Sequence, residues 1–373
     1  MPSTNPVRPN HVRRPTYPLA HAARQKPRRV PLVLRFANGA VHSIIVVPVS
    51  LHSLFTLLIV YLDRHVTGSV GLPSTIIPSL SIVVGLMLVF RNSTSYDRFW
   101  TGRNCLTTIG TSVRNLARTF LVSARSKNGE NLGEVERRDT EKIVRVLVAI
   151  LYAIKHNLRA EFNIPPASLA NEIPHPPSYS RSRPQSRRAS FEGLGEEGGI
   201  HTAKAEYISL LPDGLMGYED QGLGLPLQLA VLVEGYIRRG FERGWFHGPQ
   251  ASQMTVQVNS LTDAYGRMET IRSTPIPVAH LIHQKQVLAL FTCVLPFAIV
   301  DDYGWWAIPI VAIVAFTLYG IEGIGEQLED PFGYDKNDIK MDGIIEDTRQ
   351  ELMVLLEEWK ATANGTALGG MFE

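Results

Sequence analysis

Cysteine is almost absent from this chain: two in 373 residues. Cys105 falls in a polar stretch and Cys293 inside an apolar one, so neither a disulfide framework nor a zinc site is available. An excess of charge is also missing. Thirty-seven basic against 35 acidic residues leave a net charge of +2, which by itself decides nothing about nucleic acid, and no nucleic-acid partner is expected. There is no phosphate-binding loop, no nucleophile paired with a base and no metal triad, so the chain does not read as an enzyme and requires no cofactor on that account. Acids are missing altogether before Asp63, while the first 35 residues carry Arg8, Arg13, Arg14, Arg24, Lys26, Arg28, Arg29 and Arg35.

What is present is hidden by the average. A mean hydropathy of +0.00 and 45% hydrophobic residues would suit an ordinary soluble protein, yet the apolar residues concentrate in 41–62, 74–90, 277–300 and 305–321. Each run is 17 to 24 residues long, near the roughly 20 residues that cross ~30 Å of hydrocarbon as a helix. The short connections 63–72 and 301–304 hold one arginine between them, whereas the N-terminal arm, the segment after Phe90 and the stretch before Pro275 are rich in arginine. Basic residues mark the cytosolic side. The expectation is an all-α membrane protein with four spans and both termini in the cytosol, in the plasma membrane or, alternatively, an organelle membrane. Pro48 should kink the first span, and His42 and His52 should face protein or the interface, because an ionisable group in lipid is costly.

Five regions follow: a basic cytosolic arm (1–40), two membrane helices with a cytosolic extension (41–118), a helical cytosolic part (119–272), two further membrane helices (273–326) and an acidic turn with a C-terminal helix (327–373). The prolines of the arm disfavour the amphipathic helix of a transit peptide. Residues 140–158 have the pattern of a buried helix, since Arg145 and Lys155 interrupt the run. Within 174–199 a Ser, Pro, Arg and Gly-rich insert lacks the apolar surface to fold, and its Arg187-Arg188-x-Ser190 pattern makes Ser190 a candidate phosphosite for a basophilic kinase. Two helices follow, one over 225–245 and one over 252–271, the latter with an apolar packing stripe at Met254, Val258, Leu261 and Tyr265. His280 and His283 share a helix face with no carboxylate or cysteine beside them, and packing is the simpler reading. Gln327, Asp330, Asp335, Asn337 and Asp338 collect hard oxygen ligands without the EF-hand spacing. They admit a calcium loop or, more simply, a turn in which Asp335 or Asp338 caps the last helix.

The stretch 73–118 organises the rest. Its apolar half ends at Phe90 and passes into RNSTSYDRFWTGR with no Pro or Gly cluster to break a helix, so one helix should leave the bilayer and enter the cytosol, with Arg91, Arg98 and Arg103 marking the exit.

Four blocks, FRNSTSYDRFWTGR (90–103), VRNLAR (113–118), TPIPVAHLIHQ (274–284) and EQLEDPFGYDKNDI (326–339), resemble the bestrophin channels in order and spacing. The resemblance implies a homopentameric channel of four membrane helices per subunit, conducting chloride and other small anions; some bacterial relatives pass cations. It implies a neck of Ile82, Leu86 and Phe90, a second, cytosolic constriction at Val258, and calcium held by Gln327, Asp330, Asp335 and Asp338, although Lys336 and Asn337 break the family's run of acids. The spacing of the neck is physically apt: residues four apart lie along one helix face, and five such apolar stripes would gate by dewetting. An apolar neck strips water more readily from iodide or nitrate than from chloride, so these should permeate at least as well. The rival readings are a cation-selective channel and a membrane scaffold without conductance.

Overall fold

The computed structural model describes residues 41–67, 70–124, 133–160, 209–212, 215, 218 and 222–363. The N-terminal arm, the insert 174–199 and Ser190 lie outside the described residues. Among the described residues the regular structure is helical: α1 (His42–Leu62), α2 (Ile76–Ser123), α3 (Glu134–Leu158), α4 (Leu225–Glu242), α5 (Gly248–Ser273), α6 (Val278–Tyr303), α7 (Ala307–Gln327) and α8 (Met341–Ala363).

The apolar runs become helices that pack on one another. Three stretches are long and apolar enough to cross a membrane: His42–Val66, Ile76–Ser123 and Val278–Gln327. The third is 50 residues long and is a helical hairpin of α6 and α7, turned at Gly304, where φ is +51°. A side chain at Gly304 would meet the Arg64 guanidinium as well as the backbone strain, so the turn needs glycine. Leu295, Ile299 and Val300 of α6 close against Ala307 and Val311 of α7 and Val60 of α1. Val84 and Leu88 of α2 meet Leu288 and Phe291 of α6. His52 is buried between α1, α6 and α7, bonded to the Tyr319 hydroxyl (2.9 Å) and Thr292 (3.2 Å), as the cost of a histidine in lipid requires. Pro48 is accommodated inside α1.

Beyond the membrane part, the second half of α2 packs with α3, α4, α5 and α8 around a separate core. Phe120, Tyr236 and Phe246 are almost fully buried and their rings stack edgewise or tilted at 4.8 to 6.2 Å. Each such side chain removed from water stabilises the fold by on the order of 2 kcal/mol. Gly240 leaves the space that the Phe246 ring fills. α3 is buried along most of its length, in line with its sequence pattern. Lys155, which interrupts that pattern, reaches Asp342 at the start of α8 at 2.9 Å.

α2 joins the two parts without interruption. Its 48 residues span about 72 Å at 1.5 Å per residue, and Phe90–Arg91 lies inside it with no break.

Candidate functional site

A helix turns about 100° per residue, so side chains three and four apart share a face. On α2 the two faces separate cleanly. Val84, Leu88, Arg91, Ser95, Gly102 and Ile109 point into the subunit and are buried. On the opposite side Ile82 (70% exposed), Leu86 (55%) and Phe90 (60%) form one apolar stripe that no other described residue covers. The stripe does not end at the membrane. Thr94, Asp97, Thr101, Asn104, Thr108, Thr111 and Arg118 continue it at helical spacing, all exposed. An apolar stripe thus passes into a hydroxyl and amide ladder with one acid near its top and one guanidinium near its foot. That ladder escaped the sequence reading, although its three- and four-residue spacing from Phe90 is written in the sequence.

The arginines expected to mark the cytosolic exit do more than that. Arg91 is 2% exposed and pairs with Glu329 at 3.0 Å. Arg98 donates to the carbonyls of Ile271 (2.7 Å), Thr274 (2.8 Å) and Glu329 (3.0 Å). The first two carbonyls belong to the C-terminal end of α5, where the helix dipole favours a cation. Arg98 therefore ties α2 both to the end of α5 and to the segment after α7. Lys285 of α6 bridges Glu322 (3.6 Å) and Glu326 (3.2 Å) of α7. Arg103 stays on its own helix, donating to the Thr107 hydroxyl at 2.5 Å.

Val258 requires a correction. It is 5% exposed and packs in the cytosolic core with Met254, Leu261 and Tyr265, so it does not project as a constriction. The packing stripe read from its spacing is what the structure contains. The exposed large apolar residue of α5 is Val256.

An ion pair and side-chain hydrogen bonds cross the acidic turn. Asp330 pairs with Arg272 and accepts the Phe332 N–H at 3.4 Å. The Gln327 side-chain oxygen accepts from Asn337 Nδ2 at 2.5 Å. Asp338 Oδ2 accepts the Asp335 N–H at 2.7 Å, and burial pushes the Asp338 carboxyl above its ordinary range against the pull of that bond. Neither Asp335 nor Asp338 caps α8, because the carbonyl of Lys340 receives the Ile344 N–H at its start. Calcium needs six to eight oxygens at about 2.3–2.6 Å. Here the Asp330 and Gln327 oxygens are engaged by an arginine, a backbone N–H and an amide, whereas Asp338 Oδ1 is buried without a hydrogen-bond partner, and among the described residues no three His, Cys, Asp or Glu side chains converge. His280 and His283 are both exposed, and the two cysteines are free.

The family model for the bacterial and fungal bestrophin protein matches residues 21–354. A voltage-dependent anion channel-forming protein of Synechocystis is 31% identical over 300 residues, covering 80% of this chain and 82% of that one. A protein of the same description from Nostoc is 33% identical over 278 residues, covering 74% and 75%. Among solved structures, a bacterial bestrophin homologue from Klebsiella pneumoniae superposes with a TM-score of 0.64 at 21% identity, covering 84% of this chain and 98% of that one.

Proposed function

Because the chain belongs to the bacterial and fungal bestrophin family, we propose that it is an anion channel whose pathway is the exposed face of α2. The observation that carries this reading is the stripe of Ile82, Leu86 and Phe90, uncovered within the subunit and continued by a polar ladder on the same side of one unbroken helix. Apolar side chains lined up this way need a partner, and copies of the same helix around an axis supply one. Val83, Val89, Tyr96 and Trp100, also exposed, flank the stripe and suit contact between neighbouring copies. In this reading five copies assemble, each crossing the membrane four times through α1, α2, α6 and α7, with the arginine-rich side in the cytosol of a plasma-membrane channel. Chloride and larger, weakly hydrated anions such as iodide or nitrate pass a neck that gates by dewetting. At the acidic turn, calcium would compete with the Arg272–Asp330 pair and the Gln327–Asn337 bond for the Asp330 and Gln327 oxygens.

Planar-bilayer recording of the purified full-length protein tests this. Phe90→Ala should raise unitary conductance by widening the neck. A current unchanged by the substitution moves the neck elsewhere, and a wild-type protein that carries no current at all leaves a scaffold.

One observation favours a second reading, cation selectivity: Asp97 lies on the ladder just below the neck, exposed. Five carboxylates there would attract cations. Asp97→Asn separates the two readings, because it should leave an anion-selective reversal potential nearly in place and abolish a cation-selective one.

A further inference from the structure

Where the cytosolic end of α2 meets the start of α5, the surface sinks into a cavity of about 250 Å³. Its walls are Asn115, Arg118 and Thr119 from α2 and Gln250, Gln253 and Gln257 from α5, and its floor is Leu116 and Met254. Both floor residues are buried, at 1% and 2% exposure. We propose that this cavity binds a small organic carboxylate, with the carboxylate group on Arg118 and a short aliphatic body on Leu116 and Met254.

Charge, donors and size each point the same way. The lining contains one cation and no acid. Arg118 makes no ion pair among the described residues, and its planar fork of N–H donors matches a carboxylate in two parallel bonds. Three of the four carboxamides are already oriented. Asn115 Nδ2 donates to Gln257 Oε1 at 3.4 Å, which leaves the Gln257 amide nitrogen as a donor, and Gln250 Nε2 donates to the Ser123 hydroxyl at 2.5 Å. Gln253 has no bond to the rest of the described chain, so both ends of its amide are available. Gln250 and Gln253 stand in the first two turns of α5, at the positive end of a 26-residue helix. A cavity of this size holds on the order of eight waters at ~30 Å³ each, far more than one halide requires, and its floor is apolar. A bare chloride would leave Leu116 and Met254 facing water.

Arg118 lies on the exposed face of α2, so the cavity opens onto the permeation pathway if the channel reading holds; binding itself does not depend on conduction.

Isothermal titration of the purified full-length protein in detergent, with sodium butyrate as the probe, tests the proposal, using butyramide and sodium chloride as controls at constant ionic strength. Saturable heat is expected from butyrate and none from butyramide, which has the same shape without the charge. Arg118→Gln should weaken butyrate by about tenfold or more, the effect of losing charge-assisted hydrogen bonds. Gln253→Leu, at an exposed position, should weaken it several-fold with an unchanged melting temperature, and decides the matter if Arg118→Gln destabilises the protein. No butyrate heat, equal binding of butyramide, or butyrate binding indifferent to both substitutions overturns the proposal. Parallel bilayer currents separate the two claims: anion current without butyrate binding sinks the carboxylate site alone, and butyrate binding without current sinks the channel alone.

Discussion

Arg98 serves three carbonyls at once, those of Ile271, Thr274 and Glu329, and Arg91 sits two turns before it on the same face, buried on Glu329. Removing one partner of a buried pair leaves the other charged and unmatched. Arg91→Ala should therefore cost about 3 to 5 kcal/mol, read as a large drop in melting temperature in detergent, whereas replacing both Arg91 and Glu329 by Met should restore much of the loss. If the single variant melts like wild type, the pair does not hold the junction. Beyond the turn that follows Glu329, Asp342 is held at about 2: burial alone would push it up, but hydrogen bonds from Arg159 and Lys155 outweigh that. Glu346 is held at about 2 first by Arg349, with Gln350 and Tyr152 adding to it against burial. A carboxylate depressed in the folded state contributes stability above its unfolded value, roughly 4, and loses it as pH falls toward 2. The melting temperature should accordingly fall between about pH 4 and pH 2, and Asp342→Asn should flatten that fall. A profile equally steep in the variant would show that these contacts do not couple to folding. None of these partnerships was legible beforehand. The acceptors of Arg98 are backbone carbonyls 173 to 231 residues away in sequence, and carbonyls carry no residue identity. The acids of the turn were legible as ligand types, but their commitment to Arg272, 58 residues from Asp330, was not.

At the scale of elements, α2 is the member on which the account depends. Its continuity was legible because nothing between Phe90 and Arg118 clusters as a breaker and because the change from apolar to polar occurs without one. Its orientation was legible only in part. The i, i+4, i+8 spacing of Ile82, Leu86 and Phe90 defines a face, but which face lies uncovered depends on α6 and α7 taking the other one through Val84 and Leu88. Val258 shows the same limit from the opposite side: its own spacing placed it in a packing stripe, and the structure keeps it there. Thr101, exposed midway along α2, tests the element itself. Thr101→Pro removes a backbone hydrogen bond and clashes with the preceding turn, at about 3 kcal/mol or more, while Thr101→Ala should be neutral or slightly stabilising. Thermal melting of both variants checks this. Equal stability would mean that α2 need not be continuous, and the ladder below Phe90 would lose its register with the neck.

At the scale of the whole molecule, the apolar helices long enough to span a membrane were legible from where apolar residues concentrate, since hydrocarbon thickness fixes the length of a span. The hairpin of α6 and α7 needed only the DDYG connection to be recognised. The proposed assembly was not legible in any single periodicity, because it rests on surfaces such as Leu86, Phe90 and Trp100 that the described part of one subunit leaves exposed. Cross-linking of the purified protein should yield a ladder ending at five copies, and one ending at two would be incompatible with an axial neck. The most direct test of the central claim is the reversal potential of the reconstituted channel in asymmetric potassium chloride. The account predicts a value displaced toward the chloride equilibrium potential, with iodide or nitrate in place of chloride shifting it toward greater permeability; a value at the potassium equilibrium potential would contradict it.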